Sequence, residues 1–273
     1  MSPSVKILCV YIEYLASKNL SPNTIKNKLS HIRTYLKQCR VPVDNAYDEL
    51  VKNALDAVAR KSEFQTKAKD PIPLNIVKQI ILNIPYDIIG CNLRAALMLL
   101  LYGAYRQSEV LPPTASSFDP RKHITRGDII FNTDHVVVIQ KHGKNQQLFN
   151  QVRKCIFKPS LKSELCLVTA LKTVISLTPT VCAEQPMFAD GKGMPIPCQT
   201  LRSLWDTSLQ KMGFPPKQYS LHSIRKGVSS LAYEKGASEL DIKSYGCWSS
   251  DAYKTYIKTR SDLKINDILQ NYL

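Results

Sequence analysis

LHSIRKGVSSLAYEKGASELDIKSYGCWSSDAYKTYI, residues 221–257, sets polar chemistry where a packed helical domain has no need of it. His222 and Arg225 lie three apart, so on a helix both project from one face toward a common point. An imidazole and a guanidinium so placed repel when both are charged, and an anion between them relieves the repulsion. Taken alone, such a pair is more often a satisfied surface pair. Its weight comes from its neighbours in the chain: Trp248, Tyr253 and Tyr256 crowd into nine residues, and an indole N–H is a donor without acceptor capacity, suited to a phosphate oxygen. Aromatics at such spacing also pack cores, and residue type does not separate Tyr253 from Tyr256.

Toward the N-terminus, AYRQSEV (104–110) puts Arg106 just beyond an apolar helix and the Gly103 break. A guanidinium there either points into a cleft or pairs with Glu109 at i,i+3. Between these segments HITRGDIIFN, HVVVIQKHGKN and QLFNQVRKCIF are rich in Val, Ile and Phe and separated by turn residues, which predicts a small antiparallel sheet of hairpins. MFADGKGMP adds another turn. PLNIVKQIILNI, CNLRAALMLLLYGAYRQSEV and TLRSLWDTSLQKMG read as helices, the second with an apolar face wide enough for a buried one.

The first sixty residues form a different unit. In SPNTIKNKLSHIRTYLKQCR, Ser21 can cap a helix and Pro22 fits its first position. Ile25, Leu29, Ile32 and Leu36 share one helical face, while Lys26, Arg33, Lys37 and Arg40 cluster on an adjoining one. That positive face is either solvated or a phosphate-binding surface. KSEFQTKAKDPIP (61–73) is polar, charged and ends in two prolines, which is how a linker reads. The expected organisation is a helical domain 1–60, a linker 61–73 and a larger domain 74–273.

Composition narrows the partners. The chain carries 37 Lys+Arg against 22 Asp+Glu, a formal charge of +15, with a normal globular 44% of hydrophobic residues. Such a surplus favours a polyanion, because each cation set against a phosphate releases a condensed counterion. A membrane is disfavoured: the longest apolar run, Ala95 to Tyr105, falls short of the roughly 20 residues a span requires. The N-terminus meets Glu13 early and shows no cleavage site, so it does not read as a signal peptide. Eight scattered cysteines without a C-x-x-C pair or nearby histidine exclude a zinc site by spacing and read mostly as small buried thiols.

The order Arg, Lys, His-x-x-Arg, His/Trp, Tyr resembles the signature of the tyrosine recombinase and phage integrase family. The quoted stretch, with FDPRKHITRGDIIF and PMFADGKGMP, looks especially like the recombinases of DIRS-like and Ngaro retroelements and of cryptons. The likeness runs from the SPNTI helix to the last helix. It implies a mainly α fold with a small antiparallel β-sheet, in two domains: a helical core-binding domain that binds DNA, and a tyrosine recombinase catalytic domain. By position Arg106 and Arg225 are then the phosphate-clamping arginines, His222 the first active-site histidine, Trp248 stands where many relatives carry His, and Tyr256 is the nucleophile. The lysine belongs to the hairpin QKHGKNQQLF, as Lys144, which follows a small residue, with Lys141 the alternative. Cys247 departs from relatives of the GRW type, which have Arg there.

The resemblance further implies cleavage and rejoining of double-stranded DNA through a 3′-phosphotyrosine link, with Lys144 protonating the leaving 5′ oxygen and with no metal or other cofactor. It implies four protomers at a synapse on DNA, a role in mobile-element integration or excision, and a nuclear location for a eukaryotic element, otherwise an intracellular one. Two alternatives stand beside it: a recombinase-derived DNA-binding protein without strand exchange, and a relaxing enzyme of the type IB topoisomerase kind.

Overall fold

The computed structural model describes residues 3–62, 69–141, 143, 152–160, 163–177 and 182–246. The chain divides into two compact units, Met1–Ala68 and Lys69–Leu273.

In the first unit Ser4 opens α1 (Val5–Ser17), its hydroxyl accepting the Ile7 N–H at 3.3 Å. Ser21 caps α2 (Pro22–Gln38), taking the Thr24 N–H at 3.2 Å with Pro22 in the first turn, as the sequence predicts. Asp48 caps α3 (Glu49–Lys61) through the Leu50 N–H at 2.8 Å. Leu8, Ile12 and Leu15 recur along one face of α1 and close on Ile25, Leu29 and Val51 to make a small core.

Both ends of the stretch expected to be a linker are structured. Helix α3 continues through Lys61, and at the other end the Asp70 and Ile72 N–H groups donate to the carbonyls of Gln218 and Ser223 at 3.1 and 3.2 Å. Pro73 stands at the N-cap of the next helix, and Ile72 between the two prolines is apolar and buries completely.

The second unit contains α4 (Leu74–Leu82), α5 (Ile88–Tyr102), α6 (Gln107–Val110), β1 (Ile129–Phe131), β2 (Val136–Gln140), β3 (Arg153–Phe157), α7 (Leu167–Leu177), α8 (Cys198–Lys211), α9 (Leu221–Glu234) and α10 (Glu239–Gly246). Every residue of α5 from Gly90 to Leu101 is buried, because a helix with so wide an apolar face lies at the centre. It packs on α7 and α9. The three strands form an antiparallel sheet in the order β1-β2-β3, with Val138 opposite both Ile129 and Cys155. Ile129, Val136, Val138 and Phe157 join the core. The fold is therefore mainly α with a small antiparallel sheet, as the sequence predicts. The thiols are less uniform than expected: Cys91 and Cys166 are buried, whereas Cys39 and Cys182 are exposed. No helix among the described residues is long and apolar enough to cross a membrane.

Helix α9 reaches its place through a close approach. A Cβ on Gly227 would stand 2.3 Å from the Ile72 carbonyl oxygen, a backbone atom that cannot swing away. Gly227→Ala is expected to cost about 1–3 kcal/mol, the usual penalty of overpacking. Urea unfolding reads this as a lower midpoint, and a midpoint equal to that of the native chain would contradict the assigned packing.

Candidate active site

Helix α5 ends at Gly103, and the chain turns through Ala104, a non-glycine residue at φ 46° that is fully buried. A left-handed alanine is strained, and this turn aims two groups. One is the Ala104 carbonyl and the other is the side chain of Arg106. Arg106 sits at the N-cap of α6, where buried Glu109 takes its backbone N–H at 2.7 Å and its Nη1 at 2.6 Å. The i,i+3 pair expected from the sequence is thus formed, and it orients the guanidinium while its side chain stays 27% exposed. Pairing and an outward-facing role are not alternatives here.

Helix α9 supplies the second and third groups. Its start is fixed by Ser223, whose hydroxyl accepts the Ser220 N–H at 3.0 Å. His222 and Arg225 follow on it, as the spacing predicts. Arg225 is only 1% exposed; its Nη1 donates to the Ala104 carbonyl and its Nη2 to the Gly246 carbonyl at the end of α10. One side chain therefore joins the Arg106 turn, the His222 helix and the point from which the chain proceeds to Trp248 and Tyr256.

The imidazole of His222 is pushed down to about 4, first by partial desolvation and then by the charges of Arg225, Lys226 and Arg106, against an opposing pull from Glu109. The side chain remains accessible at the surface, and the three cations add to the effect of desolvation. Arg225, three residues on, and Arg106, far away in sequence, both act electrostatically on His222. The ring is neutral at pH 7 and able to accept a proton.

Two supports were not legible in the sequence. Arg153 of β3 donates through Nη2 to the Gly103 and Tyr245 carbonyls at 3.0 and 2.5 Å, with its guanidinium 4.8 Å from the centre of the Tyr105 ring. It ties the sheet to both segments that Arg225 joins. Asp128, 6% exposed, accepts the Thr125 N–H and hydroxyl at 2.8 and 2.7 Å and pairs with Lys141 Nζ at 2.6 Å. Lys141, the alternative hairpin lysine, is thereby held by a carboxylate.

Lys144, Trp248, Tyr253, Tyr256 and Cys247 lie outside the described residues. Two described tyrosines nearby are committed elsewhere. Tyr245 donates its hydroxyl to the Tyr102 carbonyl, and Tyr102 donates to the Leu165 carbonyl at 2.9 Å. Burial raises both, Tyr102 to about 12. In the N-terminal unit, Lys26, Lys37 and Arg40 are exposed and Arg33 is half-buried. Its Nε and Nη2 donate to the Ala46 carbonyl and its guanidinium stacks 4.4 Å from the Tyr47 ring centre, because α2 brings it against the turn before α3. Among the described residues no group of His, Cys, Asp and Glu could hold a metal.

No protein-family model and no curated protein matches the chain. Solved structures do. The Tn1549 transposon integrase in complex with transposon right end DNA superposes with a TM-score of 0.64 at 16% identity, over 99% of this chain and 84% of that one. XerH site-specific recombinase bound to difH substrate gives 0.53 at 14% identity, over 93% and 70%. A lambda integrase dimer bound to a COC′ core site gives 0.52 at 13%, over 97% and 84%. The chain shares its fold with these integrases and this recombinase. At these identities the likeness is one of fold.

In the free chain, His222 should titrate toward about 4 instead of the usual ~6.5, followed by NMR of the imidazole. Arg106→Gln should move it up and a bound phosphodiester should move it up further. The unfolded chain binds this proton near ~6.5 and the native chain only at lower pH, so stability should fall as pH drops through that window. A native midpoint at the ordinary value would contradict the cluster.

Proposed function

We propose that the chain is a DNA strand-exchange enzyme that cleaves and rejoins double-stranded DNA, with Tyr256 as nucleophile. The observation that carries this reading is the convergence of Arg106 and Arg225 on His222, which desolvation and these cationic neighbours keep neutral, in a fold shared with integrases and recombinases bound to DNA.

The chemistry can be derived from these groups. A phosphodiester transition state spreads negative charge over its equatorial oxygens, and guanidinium N–H groups match it in charge and geometry. Arg106, oriented by Glu109, and Arg225 supply that stabilisation. The Tyr256 oxygen attacks phosphorus while its proton passes to neutral His222. The bond from phosphorus to the 5′ oxygen breaks, and Lys144 protonates that oxygen. Pairing of Lys141 with Asp128 supports Lys144 for the role. The resulting 3′-phosphotyrosine keeps the bond energy, so a 5′ hydroxyl from another strand reverses the step without ATP. Trp248 donates its indole N–H to a phosphate oxygen. No metal enters this scheme.

The wider reading is an integrase or recombinase of a mobile element, of the DIRS-like, Ngaro and crypton type, working as a tetramer at a synapse and in the nucleus of a eukaryotic host. In it residues 1–60 are the core-binding half that grips DNA through Lys26, Arg33, Lys37 and Arg40. The net charge of +15 supports a DNA partner.

On a nicked suicide duplex carrying the cognate end, Tyr256→Phe should abolish covalent protein–DNA adduct and leave DNA affinity nearly intact. Adduct that survives in this variant and disappears in Tyr253→Phe would overturn the nucleophile. Replacing Lys26 and Lys37 with Gln should weaken binding about equally for cognate and unrelated duplexes. It should also flatten the log affinity against log salt slope by roughly 0.9 for each phosphate no longer neutralised. A slope equal to that of the native chain would mean that this face is only solvated.

A further inference from the structure

Arg94, in the second turn of α5, carries a buried charge that the reaction above does not use. It is 4% exposed. Its Nη2 donates to the Ile84 carbonyl at 2.5 Å, and the Tyr86 ring covers the guanidinium at 4.1 Å. Nε and Nη1 are buried without any hydrogen-bond partner, and no carboxylate among the described residues pairs with them. Desolvating a guanidinium without a counter-charge is unfavourable, so a protein that buries one in this way commonly completes it with an anion.

Space for that anion is present. Arg94 lines a cavity of about 80 Å³ between α5 and the start of α7, together with Tyr86, Cys91, Glu164, Cys166 and Thr169. The volume exceeds that of a single water site. The N-terminus of α7 does not itself compete for the occupant, because the Cys166 thiol accepts the Ser160 N–H at 3.4 Å and those of Val168 and Thr169 as well. Tyr86, 71% exposed, and exposed Glu164 stand at the mouth.

We propose that this cavity is a binding site for a small carboxylate, held by the unpartnered Nε and Nη1 of Arg94. Among the described residues one cation lines the cavity, so one negative charge balances it, and Glu164 at the rim opposes a dianion such as phosphate. The walls supplied by Tyr86, Cys91, Cys166 and Ala170 suit a short apolar body behind the charged head. The site is separate from the His222 cluster: Arg94 precedes the end of α5 at Tyr102 by eight residues, about 12 Å of helix. It does not depend on the strand-exchange reading, since no DNA is involved.

The test is calorimetric titration of the full chain, without DNA and at constant chloride, with acetate and separately with a capped tripeptide whose central residue is glutamate. Saturable one-site binding of either supports the site; tighter acetate points to a free metabolite, and a tighter peptide to an acidic side chain of a partner. Arg94→Gln should lower the affinity at least tenfold. Should that variant fail to fold, Tyr86→Ala, on an exposed side chain, should weaken binding several-fold and Glu164→Gln should strengthen it. Absence of saturation by both probes, or affinities unchanged across the folded variants, would overturn the proposal.

Discussion

The arrangement of the site depends on one buried guanidinium. Arg225 reaches the Ala104 carbonyl, 121 residues away in sequence, and the Gly246 carbonyl, 21 residues on. Each hydrogen bond from a charged donor contributes on the order of 1.5–3 kcal/mol, and the cost of losing such a partner in a dry interior is larger than that of never having buried it. Three elements are therefore tied at one atom group: the strained turn that carries Arg106, the helix that carries His222, and the end of α10. The turn remains in its left-handed geometry because its carbonyl is claimed from the far side.

Around that tie the remaining polar groups act as supports. Glu109 holds Arg106 by both backbone and side chain, and Arg153 repeats from β3 the link that Arg225 makes from α9. The result is a surface of fixed positive charge with an accessible, neutral imidazole in it. Such preorganisation favours a charge that develops during reaction over one already present, since no donor has to move when the charge appears. The same field that depresses His222 is the one that would hold a phosphate.

Much of this was legible from residues alone. The Ser21 cap and Pro22 start, the wide apolar face of α5, and the Val- and Ile-rich hairpins obey local rules that tertiary context did not override. The His222–Arg225 spacing and the Arg106–Glu109 pair were equally local. What escaped was non-local. Nothing in the sequence near Arg225 names Ala104 or Gly246 as its partners, and Arg153 looks like any exposed strand cation until the fold brings Tyr245 to it. Arg33 belongs to the positive face by helical period, yet its guanidinium serves the Ala46 carbonyl. Asp128 and Lys141 are 13 residues apart and meet only because β1 and β2 pair.

The central claim is that Arg106 and Arg225 act on the charge of the scissile phosphate. Single-turnover cleavage by the native chain and by Arg106→Ala, compared on an ordinary duplex and on one whose scissile linkage is a neutral methylphosphonate, tests it most directly. On the anionic linkage the variant should lose rate on the order of 100- to 1,000-fold, as for removal of one preorganised donor, and on the neutral linkage most of that gap should close. An equal loss on both substrates would show that Arg106 serves the structure and not the phosphate.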